Sequence, residues 1–243
     1  MCGRFALYTP PSRIASLFGA RLADSVDPAS PPRWNVSPAS VVYGMTERVT
    51  PEGDELVLDR YRWGLVPPWA PDKSRATTGR LFNARSETAA TRPSFRAAFM
   101  SRRVVVVADG FFEWQKGPGS RSGPHYFSRA DGDLLAFAGL WEPGGRTPPE
   151  SAQKSDMSTC TILTTSAGTD MAGIHDRMPV VLERDVLGVW LDPAQPAGPE
   201  LQSVLGPAPS GTLVHHRVDP RVGNVRNDDP GVIAAVDENG NGR

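Results

Sequence analysis

The sequence predicts a loop-rich fold of the α+β or mostly-β class, and three observations carry that prediction. Its apolar runs are short and rich in β-branched and aromatic residues, as in Arg103-Val104-Val105-Val106-Val107-Ala108, the pattern of a buried strand. Glycine and proline number 24 each, so turns recur more often than a helical bundle allows. With 243 residues, 39% of them hydrophobic, the chain is long enough to bury a full core.

The elements follow in order. Thr9 reads as an N-cap followed by a first-turn proline, Pro10, and Ile14, Leu17, Phe18 and Leu22 recur at helical spacing. Residues 31–38 are extended loop. Residues 40–46 and 56–65 read as two strands of a hairpin turning near Pro51-Glu52-Gly53-Asp54. Residues 66–79, with three prolines and Trp69, form a surface loop, and a short helix is expected near 94–100. The strand at 103–108 is expected to run on through Asp109-Gly110 into Phe111-Phe112-Glu113-Trp114, where Gly110 signals a bulge or close backbone approach. After a turn at 116–124 come strands near 125–129, 134–141 and 159–165. A helical turn at 171–174, a helix at 184–191 with Trp190 inward and a strand at 212–218 complete the series. Residues 144–156 read as a flexible insertion in a domain spanning 1–237, and 238–243 as a disordered tail.

Charge and cysteine usage narrow the function. The formal net charge is −1, so nucleic-acid binding has to come from a local patch; of 26 basic residues all but Lys73, Lys116 and Lys154 are arginine, the better phosphate fork. Two cysteines, Cys2 and Cys160, suit a reducing compartment. Neither a secretory h-region nor a membrane span is visible, so a cytoplasmic protein is expected, with no membrane partner. No Cys-x-x-Cys or helical His pair occurs, and His215 and His216 should point to opposite faces of a strand; no metal and no cofactor are expected. There is no P-loop and no Gly-x-Ser-x-Gly elbow.

Cys2 offers a distinctive chemistry. Once Met1 is removed, Cys2 carries a free α-amine and a thiol, a 1,2-aminothiol that condenses with an aldehyde to a Schiff base and closes a thiazolidine. Three other stretches embed polar groups in apolar sequence: Asn83-Ala84-Arg85, Phe112-Glu113-Trp114 and His175-Asp176-Arg177. Glu113 between aromatics could serve as a desolvated general acid–base or face water at a strand end. His175 is a proton shuttle or a histidine satisfied by local backbone, and Asn83 a positioning amide or a turn residue.

Taken in order, Cys2-Gly3-Arg4-Phe5, Arg62 to Pro67, Asn83 to Thr88, Ala108 to Trp114, Ile174 to Pro179 and Val222 to Asn227 resemble the SOS response-associated peptidase family. The resemblance runs from Cys2 to Asn227. It implies a single α+β domain whose β-rich core is a barrel-like mixed sheet flanked by short helices, and a monomer that crosslinks to abasic sites in single-stranded DNA near junctions with duplex, nucleoid-associated in a bacterium. By motif, Cys2 is the nucleophile, Asn83 positions sugar and amine, and Glu113 and His175 handle protons. Arg4, Arg85 and Arg177 are implied to contact phosphates, Trp69 to lie against a base, and Pro38 and Thr164 to make further DNA contacts. Ala70 stands where some relatives have a second tryptophan. Autocatalytic removal of Met1 and strand cleavage from the imine are further implied activities. The competing class is an N-terminal-nucleophile amidohydrolase of the glutamine amidotransferase kind, which also begins on a processed cysteine.

Overall fold

The computed structural model describes residues 2–51, 53–70, 81–115, 123–144 and 157–237. The chain is built of strands with short helices among them: β1 (Phe5–Leu7), α1 (Pro11–Phe18), β2 (Arg21–Leu22), β3 (Arg33–Val36), β4 (Val41–Thr50), β5 (Gly53–Trp63) and β6 (Asn83–Arg85). Then follow α2 (Ser86–Ala89), α3 (Arg96–Ser101), β7 (Arg103–Ala108), β8 (Gly110–Gln115), β9 (Gly123–Arg129), β10 (Leu135–Glu142) and β11 (Thr159–Ser166). The last elements are β12 (Arg177–Pro179), α4 (Leu187–Leu191), α5 (Pro199–Ser203) and β13 (Leu213–Arg217).

Two sheets form. One runs β12-β11-β10-β7-β4-β5-β2, and β11 also pairs in parallel with β5 through Thr159↔Arg62 and Cys160↔Trp63. That extra pairing closes β5, β4, β7, β10 and β11 into a ring, which removes two sheet edges that would otherwise expose unpaired backbone groups. The barrel-like mixed sheet expected from the family resemblance is therefore present. β7, central in the ring, is buried at all six positions, which is why it reads as an unbroken β-branched run without alternation. The second sheet is antiparallel, in the order β13-β9-β8-β1-β3. Rings from both sheets make an aromatic seam: Phe5 lies 5.0 Å from Trp63 and 6.3 Å from Phe137, and Phe111 stacks on Phe127 at 5.0 Å. Each such pair contributes about 1 kcal/mol beyond its buried area. Anchoring Phe5 in this seam holds the N-terminus between the sheets.

The hairpin of β4 and β5, the Val-rich strand and inward Trp190 match expectation. Two expectations change. Thr9 does not cap α1; Pro10 takes that place with Pro11 as the first-turn proline, and the Thr9 hydroxyl instead bonds Asp109 Oδ1 at 2.6 Å. Leu22 belongs to β2, beyond the helix stop at Gly19. Nor does one strand run from Arg103 to Trp114. The chain passes from one sheet to the other at Asp109, whose carboxylate also accepts from the backbone N of Tyr8 and Thr9. At Gly110 a Cβ would collide with the Tyr126 ring and Phe127 carbonyl of β9, so the close approach predicted there is real and glycine alone fits. The turn at 116–122, most of the insertion at 145–156 and the tail at 238–243 lie outside the described residues, as do Met1 and residues 71–80.

Candidate functional site

The site grows out of the end of β1. β1 pairs with β8 through Phe5↔Phe111 and Ala6↔Gly110, and Phe112 N donates to Arg4 O at 2.9 Å. One further step of that register sets Gly3 across from Glu113 and leaves Cys2 at the mouth of the two sheets. Cys2 is fully buried with a free thiol. Burial pushes the thiol pKa far up, and the negative charge of Glu113 adds to the rise, so the thiol stays protonated at neutral pH. Glu113 is 3% exposed.

Asn83 arrives from the ring. β6 pairs in parallel with β11, Asn83 against Ile162, and the preceding carbonyl, of Phe82, accepts from Trp63 Nε1 at 2.8 Å and from Ile162 N at 3.0 Å. So held, Asn83 donates from Nδ2 to the carbonyl of Cys2 at 2.6 Å. Its Oδ1 is buried without a hydrogen-bond partner among the described residues, leaving an acceptor over for an amine or hydroxyl.

His175 reaches the same end of β8 by a loop: Gln115 Nε2, two residues beyond Glu113, donates to Gly173 O at 3.0 Å. The imidazole is 14% exposed, and Arg177 N donates to its Nδ1 at 2.9 Å. Asp176 Oδ1 also lies 3.0 Å from that nitrogen, but Asp176 is 88% exposed and its pull is screened. Arg177 O lies 3.1 Å from the same nitrogen, so Nδ1 meets one backbone donor and one backbone acceptor, and either tautomer of the ring finds a partner there.

The arginines divide into two kinds. Arg4 is structural in its contacts: Nη1 donates to Asn35 Oδ1 at 2.8 Å and to Val222 O at 2.7 Å, with the guanidinium 5.9 Å over Trp114. Arg177 forks onto both oxygens of Glu87 at 2.6 and 3.0 Å, and its Nη2 also reaches the carbonyl of Thr164. Thr164 is fully buried, with Oγ1 3.4 Å from Ala84 O and 3.3 Å from Arg177 Nη2, so it braces Arg177 from inside and presents no surface to a ligand. Arg85, by contrast, is exposed and makes no side-chain hydrogen bond among the described residues, although its charge acts on nearby Glu87.

Trp69 is 63% exposed. Its loop is rooted where Leu65 N donates to Leu81 O at 3.1 Å, two residues before Asn83. Pro38 stands at the same root, since the next residue, Ala39, donates its N–H to Trp63 O at 2.7 Å. Cys2 is thus bonded to Asn83 and shares the β1–β8 pairing with Glu113, the His175 loop is tied to the end of β8, and the segments carrying Trp69 and Pro38 are anchored on the strands that lead to Asn83.

Residues 1–225 match the family described as SOS response associated peptidase (SRAP). The chain belongs to that family. It is 33% identical to the abasic site processing protein YoqW of Bacillus subtilis over 96% of this chain and 99% of the relative. Against the abasic site processing protein YedK of Escherichia coli it is 33% identical over 97% and 100% of the two chains. A crystal structure of a protein from Bacteroides thetaiotaomicron superposes with a TM-score of 0.79, at 21% identity, over 97% of this chain and all of that one, a likeness of fold.

Sequence reasoning missed Asn35, a buried amide that ties Arg4 to the C-terminal loop by donating from Nδ2 to the carbonyls of Val222 at 3.0 Å and Asn227 at 2.7 Å. It also missed His125, set directly across from Glu113 on β9. Neither carries a local signal, because the partners lie on distant segments. Among the described residues no cluster of three His, Cys, Asp or Glu is placed to hold a metal, and no helix is long and apolar enough to cross a membrane.

Proposed function

We propose that this protein captures the aldehyde of an abasic site in single-stranded DNA with the α-amine and thiol of Cys2, giving a thiazolidine crosslink. The observation that carries the reading is the Asn83 amide on the Cys2 carbonyl at 2.6 Å, beside a β1–β8 pairing that brings the buried Glu113 to the same end of β1. The relatives named abasic site processing proteins supply the substrate.

Met1 has to leave first, because an acylated Cys2 nitrogen is an amide and not a nucleophile. Glu113 and His175 then open the deoxyribose hemiacetal, one taking the proton of the anomeric hydroxyl and the other giving a proton to the ring oxygen. The Cys2 amine adds to C1′, Asn83 Oδ1 accepting one of its protons as a hydrogen bond. Water leaves with help from Glu113 to give the imine. The thiol finally adds across the C=N bond: sulfur bonds C1′, the π electrons go to nitrogen, and Glu113 carries the proton from sulfur to that nitrogen. The sum is aldehyde plus aminothiol to thiazolidine plus water. Because both nucleophiles belong to one residue, closure is intramolecular and gains the corresponding proximity advantage. Release of Met1 by the same pocket, and strand cleavage by β-elimination from the imine, belong to the same proposal. Arg85 and Trp69 serve the strand as phosphate and base contacts, with Pro38 beside them.

Intact-mass measurement before and after mixing with an abasic single-stranded oligonucleotide tests this directly. The expected masses are the chain without Met1, then that mass plus the oligonucleotide less one water. Absence of an adduct, together with ammonia release from glutamine, would instead favour amidohydrolase chemistry.

A further inference from the structure

The buried contact between Asn83 and Cys2 joins two segments that one indole also ties together. Trp63, the last residue of β5 and part of the Arg62 to Pro67 stretch, is fully buried. Its ring lies 5.0 Å from that of Phe5, a short step along the chain from Cys2, and 6.0 Å from that of Phe82, the residue before Asn83, which it meets edge-on at 90°. Its Nε1 donates to the Phe82 carbonyl at 2.8 Å. Backbone bonds hold Trp63 itself: its N–H donates to Ser40 O at 2.9 Å, its carbonyl accepts from Ala39 N at 2.7 Å, and it pairs with Cys160 where the sheet closes. A closed circuit results, from Cys2 along the chain to Phe5, across to Trp63, on to Phe82 and Asn83, and back through Asn83 Nδ2 to the Cys2 carbonyl at 2.6 Å.

Resting on the reading above, we infer that Trp63 is a positioning residue for the crosslinking reaction, its indole N–H setting the direction in which Asn83 meets Cys2. The Phe82 carbonyl does not need that N–H to be satisfied, because Ile162 N already donates to it at 3.0 Å within the β6–β11 pairing. The second donor adds orientation. A peptide unit is planar, so two donors on one carbonyl fix the rotation of the whole Phe82–Asn83 plane, and with it the Cα from which the Asn83 amide projects. Phe82 is only half-buried, so its side chain holds this plane less firmly than a core residue would. The same plane aims Asn83 Oδ1, which is buried without a hydrogen-bond partner among the described residues. Precision matters here, since a misplacement of about 1 Å at a reacting group can slow a reaction by roughly 10²-fold.

The test is single-turnover adduct formation at saturating abasic single-stranded DNA in wild type, Trp63→Phe, Asn83→Ala and the double variant, with melting temperatures alongside. Trp63→Phe keeps an aromatic ring in the seam and removes the donor. It should slow the reaction about 5–10-fold, the worth of one orienting hydrogen bond, with strand affinity at the wild-type value. In the Asn83→Ala background the same substitution should change the rate by less than about twofold, because the group it aims is gone. A residue that only fills the core would slow both backgrounds by the same factor; that result, or a wild-type rate in Trp63→Phe, overturns the inference. If melting shows that Trp63→Phe does not fold, the benzothiophene isostere of tryptophan at position 63, which keeps the ring shape and lacks the N–H, carries the same comparison. The Asn83 side-chain amide in the NMR spectrum of the unliganded protein separates this inference from the crosslinking reading. Loss of the donor should shift its resonances while the Ile162 backbone amide stays in place, and an unmoved Asn83 amide overturns the positioning role even where crosslinking is seen. If wild type forms no adduct but the shift is present, the positioning stands and the crosslinking proposal fails.

Discussion

Cys2 and Arg85 are both tied to Asn83, one by a hydrogen bond and the other two residues along the same strand, yet their surroundings are opposite. Cys2 is fully buried, its carbonyl bonded, its thiol held neutral by desolvation and by Glu113. Arg85 is exposed and has all its donors unspent among the described residues. The contrast separates two tasks. Bond-making requires groups whose positions and protonation are fixed before the substrate arrives, and a low-dielectric interior enforces both. Capturing a polyanion requires charge that reaches into solvent and gives up only water on binding. Arg4 and Arg177 show the boundary, since they lie in the binding motifs but commit Nη1 of Arg4 and both Nη groups of Arg177 to bracing the buried half.

The sharpest way to break that division is at its buried end. Cys2→Ala keeps a free α-amine after Met1 removal, so it should still form a borohydride-trappable imine while losing the heat-stable adduct altogether on a denaturing gel. A heat-stable adduct in this variant would sink the thiazolidine. Next in size, Glu113→Gln should slow single-turnover adduct formation by about 10²–10³-fold, the usual worth of a general acid–base, while strand affinity stays near wild type. A parallel loss of affinity would mean that the two halves are not separable.

Much of the buried half was legible in the sequence because its parts announce themselves locally. A polar residue inside aromatic sequence, as in Phe112-Glu113-Trp114, marks a buried ionisable group, and a valine run marks a central strand. The hairpin of β4 and β5 was readable from two apolar runs and the turn between them. What stayed hidden is what depends on distant partners. Ring closure joins Trp63 to Cys160 across nearly a hundred residues, and the Arg177–Glu87 fork spans 90. An arginine in a motif looks the same whether its fork meets a phosphate or a carboxylate of its own chain. Thr9 misled for a related reason: its hydroxyl had a helix start nearby but a better acceptor in Asp109, a hundred positions away.

At the exposed end, Trp69→Ala should cost about tenfold in affinity for single-stranded DNA, the worth of one stacked base, without changing the rate of adduct formation at saturating strand. Anisotropy and single-turnover rates measured together check this. A rate defect that persists at saturation would place Trp69 in the chemistry and blur the comparison. Ala70 beside it leaves a single indole at this point of the rim, so no second stacking contact should buffer the loss.

The smallest effect concerns how the buried half keeps its charges in order. His125, directly across from Glu113, is 7% exposed, and its Nδ1 lies 3.1 Å from Nδ1 of His215. Burial, followed by the nearby His215 and Arg217, pushes its pKa down from 6.5 to about 4. A histidine depressed in the folded state binds its proton more readily in the unfolded chain. Its contribution to stability is therefore complete above pH 6.5 and is lost as the pH falls toward 4, on the order of 2 kcal/mol across that window. His215 shifts in the same direction and adds to the slope. Urea denaturation at a series of pH values should show this acid loss in wild type and a flatter profile in His125→Gln. The two proteins should differ least at pH 4, where wild type has given up the advantage of a neutral ring. An equally steep acid loss in His125→Gln would assign the slope to the carboxylates and remove His125 from the account.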